Sequence, residues 1–163
     1  MFVLLLALPL AVFARDQTVG VRGTLMCGNQ PLSGATVKLW DLNTFPMPDT
    51  NMATVTTSSN GQFELHGTVN DITTADPTVR IYHNCNNNWT PLHPIDSACQ
   101  RESQYTIPKQ YIANGDTVNQ YYNMGTMNMQ AKQPGEDSHC VSNPLRSIGK
   151  RQVISPRFFL LRK

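Results

Sequence analysis

Residues 18–41 read TVGVRGTLMCGNQPLSGATVKLWD, and the spacing of their apolar residues indicates the class of fold. Apolar residues alternate with polar ones, at Val19 and Val21 in the first half and at Val37 and Leu39 in the second. A period of two residues is typical of a strand with one buried face. The glycines and the proline between the two halves favour a turn. The stretch therefore predicts a strand, a loop and a second strand.

Short strand patterns continue along the chain as MATVTT, QFELHG, TVRIYHNC, ESQYTIP and NQYYNMGTMNMQ. Asn60-Gly61 stands between the first two of these, and because both residues tolerate positive φ it predicts a hairpin there. Only IPKQYIANG favours a helical turn, with Gly115 as its end. Seven short strands in roughly 115 residues predict an all-β protein, an antiparallel β-sandwich.

The N-terminus favours export. An apolar run from Phe2 to Phe13 is followed by Ala14 and a charged pair. This run is too short to span a bilayer but suits a secretory signal peptide, so residues 1–14 are predicted to be cleaved off. The mature product is then expected to be soluble, secreted and extracellular, with no transmembrane segment. Its length suits a single domain.

Charge is distributed unevenly along the chain. Residues 15–141 hold seven basic and eleven acidic residues, whereas residues 142–163 hold six basic and no acidic ones. The acidic body argues against nucleic-acid binding, which requires a basic surface. The C-terminal segment 142–163 is predicted to be a disordered basic tail. An alternative is a tail that binds anionic lipid or glycan through Phe158–Leu161.

Several motifs together resemble the nematode transthyretin-like family of secreted proteins. They are VRGTLMCGNQPLSGATVKLWD, SSNGQFELHG, DPTVRIYHNCN, CQRESQYTIPKQYI, YYNMGTMNMQ and PGEDSHC. The resemblance covers roughly residues 18–141 and implies a transthyretin-like Greek-key β-sandwich over residues 15–141, in which the first and last strands are parallel neighbours. It does not carry over the hormone site of transthyretin, whose lining residues have no match here.

Four cysteines allow two interpretations. Cys85 and Cys99, with His83 and His93, form a set that suits zinc, but thiols in an oxidising compartment favour disulfides. We therefore expect no metal and a bridge from Cys85 to Cys99. The resembled fold implies a second bridge from Cys27 to Cys140, because it brings the end of the first strand near the segment after the last one.

Asn88-Trp89-Thr90 matches the acceptor rule for N-glycosylation, which predicts a glycan on Asn88. No catalytic residues are predicted, because two disulfides leave no free thiol and no Gly-x-Ser-x-Gly elbow occurs. A hydrolase branch of the resembled superfamily carries a C-terminal Tyr-Arg-Gly-Ser motif, which is absent. The protein is thus expected to be neither an enzyme nor a cofactor binder.

Binding is the function that the sequence favours. Lys38 and Trp40 lie on one predicted strand, Arg80 and Tyr82 on another, and the resembled fold makes these strands neighbours. Aromatic and arginine side chains are common interface anchors. The four residues are predicted to bind an extracellular lipid, a small apolar ligand or a cell-surface receptor. The alternative is a structural protein that self-associates through its sheet edges, as a homodimer for example.

Overall fold

The computed structural model describes residues 13–86 and 99–140, and for Cys99 and residues 138–140 it describes the backbone alone. Seven strands have six or more residues: β1 (Arg15–Cys27), β3 (Thr36–Asp41), β4 (Thr50–Thr56), β5 (Gln62–Asp71), β6 (Pro77–His83), β7 (Cys99–Thr106) and β9 (Tyr121–Asn128). Shorter strands are β2 (Gln30–Pro31), β8 (Ala113–Asn114) and β10 (Asp137–Cys140). Lys109–Tyr111 form one 3-10 turn at the predicted helical position.

The strands form two sheets. In the first, β1 lies between β5, which is antiparallel to it, and β9, which is parallel to it; β2 and β8 also pair with β1. The second sheet has the order β10-β7-β6-β3-β4 and is antiparallel throughout. The all-β sandwich and the parallel pairing of the first long strand with the last are as predicted. Among the described residues, no helix is both long and apolar enough to cross a bilayer.

One face of each sheet builds the core. The strand patterns place their apolar positions inward, so that Val19, Val21, Val37 and Leu39 are fully buried, as the alternation predicts. They pack with a larger set of apolar side chains from both sheets: Leu25, Phe63, Leu65, Val79, Ile81, Ile107 and Met129. Burial of this face is the main favourable contribution to folding.

The turn at Asn60-Gly61 forms, but the hairpin predicted from it is wrong. β4 and β5, on its two sides, belong to different sheets. The carbonyl of Gly61 accepts a hydrogen bond from the amide of Leu25 at 2.8 Å, so the turn is tied to β1. Gly61 has a positive φ, and a Cβ there would collide with the Leu25 carbonyl oxygen, so glycine is required. The turn carries the chain from one sheet to the other.

The expected disulfide pairing is also wrong, because Cys27 is bonded to Cys85, with their Cα atoms 5.7 Å apart. Cys27 ends β1 in the first sheet, and Cys85 follows β6 in the second. The two strands end on the same side of the sandwich, so this bridge joins the sheets. Cys99 is the backbone partner of Cys140 in the pairing of β7 with β10.

Four predictions fall outside the described residues. They are the cleavage of residues 1–14, of which the first twelve are not described, the glycan on Asn88, the role of His93, and the basic tail 142–163. They stay predictions.

Candidate functional site

The four predicted binding residues lie on the outer face of the second sheet. β3 and β6 are hydrogen-bonded neighbours, with Lys38 opposite Arg80 and Thr36 opposite Tyr82. Odd-numbered positions of both strands are buried in the core. Since successive side chains of a strand point to opposite sides, the even-numbered positions face outward. The sequence prediction that these two strands are neighbours is confirmed.

These residues form a stack of alternating cations and rings, which we call the cation–aromatic stack: Lys38, Trp40, Arg80 and Tyr82. The Lys38 Nζ atom lies 5.2 Å from the centre of the Tyr82 ring and 6.0 Å from that of Trp40. The guanidinium carbon of Arg80 lies 5.1 Å from the centre of the Trp40 ring. Such contacts within about 6 Å are attractive because a ring face is electron-rich.

Arg80 is fixed by residues that the sequence prediction missed. Its Nη2 atom lies 2.9 Å from Oδ2 of Asp49, and its Nε atom donates to Oε1 of Gln104 at 3.2 Å and lies 3.8 Å from Glu102. Glu102 and Gln104 are alternate residues of β7, so a period of two places them on the same outer face as Arg80. Asp49 comes from the loop between β3 and β4, and no sequence pattern indicates its position.

The members of the stack differ in exposure. Tyr82 is only 5% exposed, while the other three are half-buried. Burial and the nearby Glu102 carboxylate raise the pKa of the Tyr82 phenol. The Tyr82 ring therefore packs against Lys38 and is itself almost inaccessible to a binding partner. Within the described part of the chain, Lys38 has no ion-pair partner and the buried indole N–H of Trp40 has no acceptor.

A second polar cluster, which is half-buried, lies beside the disulfide. The Arg101 guanidinium donates to both carboxylate oxygens of Glu136 at 2.7 Å. It also donates to the carbonyl oxygens of Cys85 at 2.7 Å and Met129 at 2.9 Å. Arg101 thus connects the second sheet to the end of the first, and its hydrogen bonds lower the pKa of Glu136.

His83 lies in the same region and is 1% exposed. Its Nδ1 atom accepts a hydrogen bond from the Cys85 amide at 3.3 Å, and its Nε2 atom has no partner among the described residues. Burial, followed by the positive charge of Arg101, lowers the pKa of His83 to about 4. This histidine is therefore neutral at physiological pH.

Two concavities lie away from the stack. One of about 480 Å³ lies on the outer face of the first sheet and is lined by polar side chains that include Arg22, Gln62, Glu64 and Asn123. The other, of about 340 Å³, adjoins the disulfide and includes His83 and Gln100. Neither includes a residue of the stack.

The zinc alternative finds no support in the described residues. Cys85 is bonded to Cys27, which removes the thiolate that a zinc ion would need. No three His, Cys, Asp or Glu side chains in the described ranges are grouped to hold a metal ion.

The family model and the relatives described next point to the same family. Residues 22–108 match the model of the transthyretin-like family. Transthyretin-like protein 33 of Caenorhabditis elegans is 40% identical over 80% of this chain and 85% of its own length. Transthyretin-like protein 5 of the same organism is 36% identical over 84% of this chain and 94% of its own length. With its sandwich of two sheets and these matches, the chain belongs to the transthyretin-like family.

Proposed function

We propose that this protein is a secreted, extracellular binding protein without enzymatic activity, and that it engages a protein partner at the cell surface through the cation–aromatic stack. The observation that carries this proposal is the set of cation–ring contacts on the outer face of the second sheet, in which Lys38, Trp40 and Arg80 are half-buried and Tyr82 is covered. Tryptophan, tyrosine and arginine are the residues most enriched among those that contribute most to binding at protein interfaces.

Export is supported by two features. The apolar leader has the length of a secretory signal. The Cys27–Cys85 bond fits an oxidising compartment, since stable disulfides are rare in the cytosol.

The shape and charge of the stack favour a protein over the other two classes of partner. Small apolar ligands bind in concave, mostly apolar sites. No residue of the stack lines either concavity described above, and the one of about 480 Å³ is lined by polar residues and glycines as well as Phe63. Asp49 and Glu102, which both lie beside Arg80, equal the two cations of the stack in number, so the surface offers little net attraction to an anionic membrane.

The test uses fluorescently labelled secreted protein and intact cells of the source organism, with binding measured by flow cytometry. Trp40→Ser or Lys38→Gln is expected to weaken binding by roughly 30-fold, which corresponds to about 2 kcal/mol at a central interface residue. Lys109→Gln, an exposed cation outside the stack, is the matched control and should bind like the unmodified protein. Equal binding by all variants would exclude the stack as the contact surface.

Two further arms identify the class of partner. Treating the cells with protease is expected to abolish binding, and protein-free vesicles of neutral or anionic phospholipid should not bind. Binding that survives protease and appears on vesicles would show a lipid partner instead.

Self-association is the second candidate function, and the edge of the first sheet favours it. Among the described residues β9 pairs with β1 alone, so one side of this Met-containing strand has no hydrogen-bonded neighbour. Open edges are templates for pairing with another chain. Light scattering at several concentrations separates the two functions, because a monomer at every concentration would exclude self-association.

A further inference from the structure

One end of the sandwich exposes large apolar side chains. Phe45 is 92% exposed, and Met47 and Ile72 are each 60% exposed. Phe45 and Met47 lie in the loop 42–49 and Ile72 in the loop 72–76. The amide of Leu42 donates to the carbonyl of Asp76 at 3.1 Å, so the loops are adjacent. We call these two loops the loop end.

Buried polar side chains hold both loops in place. Asp41, 1% exposed, accepts from the amide of Asp76 at 2.6 Å. Gln17, fully buried, donates to the carbonyl of Thr73 at 2.6 Å and accepts from the amide of Ala75 at 3.0 Å. The first loop is also braced from within, since the Asn43 side chain donates to the Pro48 carbonyl at 2.7 Å. Phe45 is thus presented by an ordered loop.

The charge of this end is negative. Five carboxyl groups lie in the two loops or beside them, against two guanidinium groups, so the formal charge of this end is −3. The acidic residues are Asp16, Asp41, Asp49, Asp71 and Asp76, and the basic ones are Arg15 and Arg80. The Oδ2 atom of Asp41 is buried without a hydrogen-bond donor among the described residues. An apolar, acidic surface repels anionic lipid headgroups and attracts a basic, apolar segment.

The chain itself contains such a segment. The basic tail, residues 142–163, has six basic and no acidic residues and includes the apolar run Phe158–Leu161. Cys140 pairs with Cys99 at the start of β7, whereas Thr106 at the end of β7 pairs with Thr78 near the loop end. An eight-residue strand spans about 26 Å. The 18 residues from Cys140 to Phe158 reach up to about 60 Å when extended. The tail is therefore long enough to bring its apolar run to the loop end.

We propose that the basic tail docks on the loop end of its own chain, with its apolar run against Phe45, Met47 and Ile72 and its cations beside the aspartates. This inference does not rest on the proposed function, because none of these three apolar residues belongs to the cation–aromatic stack. Intramolecular docking is favoured by the high effective concentration of a tethered segment.

Photo-cross-linking of the full secreted chain tests the docking. A benzoyl-phenylalanine probe replaces Phe45, whose exposure makes the replacement harmless to the fold. After irradiation in dilute solution, peptide mass spectrometry is expected to find the probe joined to residues 157–163 of the same chain. Phe158→Ser/Phe159→Ser should lower the yield about tenfold, and about 1 M salt, where the Debye length is about 3 Å, should lower it about fivefold. A probe at Asn60, exposed at the opposite end, is the control and should not reach residues 157–163.

Three results would overturn the proposal. Covalent dimers would show that the loop end contacts a second copy. A probe that reacts with solvent or with other parts of the chain, but not with the tail, would show that the tail does not dock. An intact mass that lacks the tail would show that the secreted protein does not contain it.

Discussion

At the scale of single residues, Arg101 is the clearest polar determinant of stability, because it links the two sheets. Its side chain is 14% exposed and that of Glu136 is 8% exposed, and the guanidinium also satisfies the carbonyls of Cys85, Met129 and Ala131. Removing one partner of a buried ion pair leaves the other charge uncompensated.

Arg101→Met is therefore expected to lower the free energy of unfolding by about 3 to 5 kcal/mol. The measurement is urea unfolding followed by fluorescence. Arg22→Met is the control, because Arg22 is exposed and has no ion pair within the described residues, and it should change stability by less than about 0.5 kcal/mol. Equal stability of the two variants would contradict the structural role of Arg101.

His83 should make the protein less stable in mild acid. In the unfolded chain this imidazole binds a proton near pH 6.5, whereas in the folded chain its pKa is lowered to about 4. Between these values the unfolded state binds more protons, so the stability that is fully present above about pH 6.5 is lost as the pH falls toward about 4. The loss amounts to at most about 3 kcal/mol.

Unfolding in urea at several pH values measures this dependence. Protonation of Glu136, whose pKa is lowered in the folded chain, also reduces the stability of the protein in acid. Comparison of the unmodified protein with His83→Gln therefore isolates the contribution of the histidine. The difference between the two curves should shrink from pH 7 to pH 4. A constant difference would show that His83 does not titrate in this way.

At the scale of elements, the close approach of β4 to β5 joins the edges of the two sheets. A Cβ on Gly67 of β5 would lie 2.6 Å from both Cβ and the carbonyl oxygen of Met52 in β4. Real Cβ atoms do not approach backbone so closely, so the strands must separate to accept any side chain.

Gly67→Ala is expected to destabilise the fold by about 1 to 3 kcal/mol, the usual cost of overpacking. Thermal unfolding measures the effect. Glu64→Ala on the same strand replaces an exposed side chain and should change stability by less than about 0.5 kcal/mol. If Gly67→Ala had no larger effect than Glu64→Ala, the edges would not be in contact.

The same element shows why local patterns mislead. Asn60-Gly61 has the residues of a hairpin turn, and the turn exists. Whether the chain then pairs with the preceding strand or crosses to the other sheet depends on Leu25, which is far away in sequence and binds Gly61.

At the scale of the whole molecule, a disulfide joins segments that are distant in sequence. The Cys27–Cys85 bond joins the two sheets and closes a loop between cysteines that are 58 positions apart in sequence. In the chain-entropy model a loop of this length stabilises the fold by about 4 kcal/mol before strain is subtracted. Cys99 and Cys140 lie opposite each other in the backbone register of β7 and β10.

We expect the second bridge between Cys99 and Cys140. Digestion without reduction, followed by mass spectrometry, should recover one peptide pair that contains Cys27 and Cys85 and another that contains Cys99 and Cys140. A reduced digest is the control. Recovery of a Cys85–Cys99 pair, or four alkylatable thiols in the purified protein, would contradict both the structure and this prediction.

The strands and their inward positions could be predicted from the amino-acid sequence, because they follow from the two-residue period. The resemblance to the transthyretin-like family, which rests on motifs that are local in the chain, implied that β3 and β6 are neighbours. The pairing of the cysteines, the contact of Asp49 with Arg80 and the burial of Tyr82 could be seen only in the folded molecule. Such contacts depend on where the two sheets place their ends and loops in space. No local pattern of residues encodes the distance between side chains that are far apart in sequence.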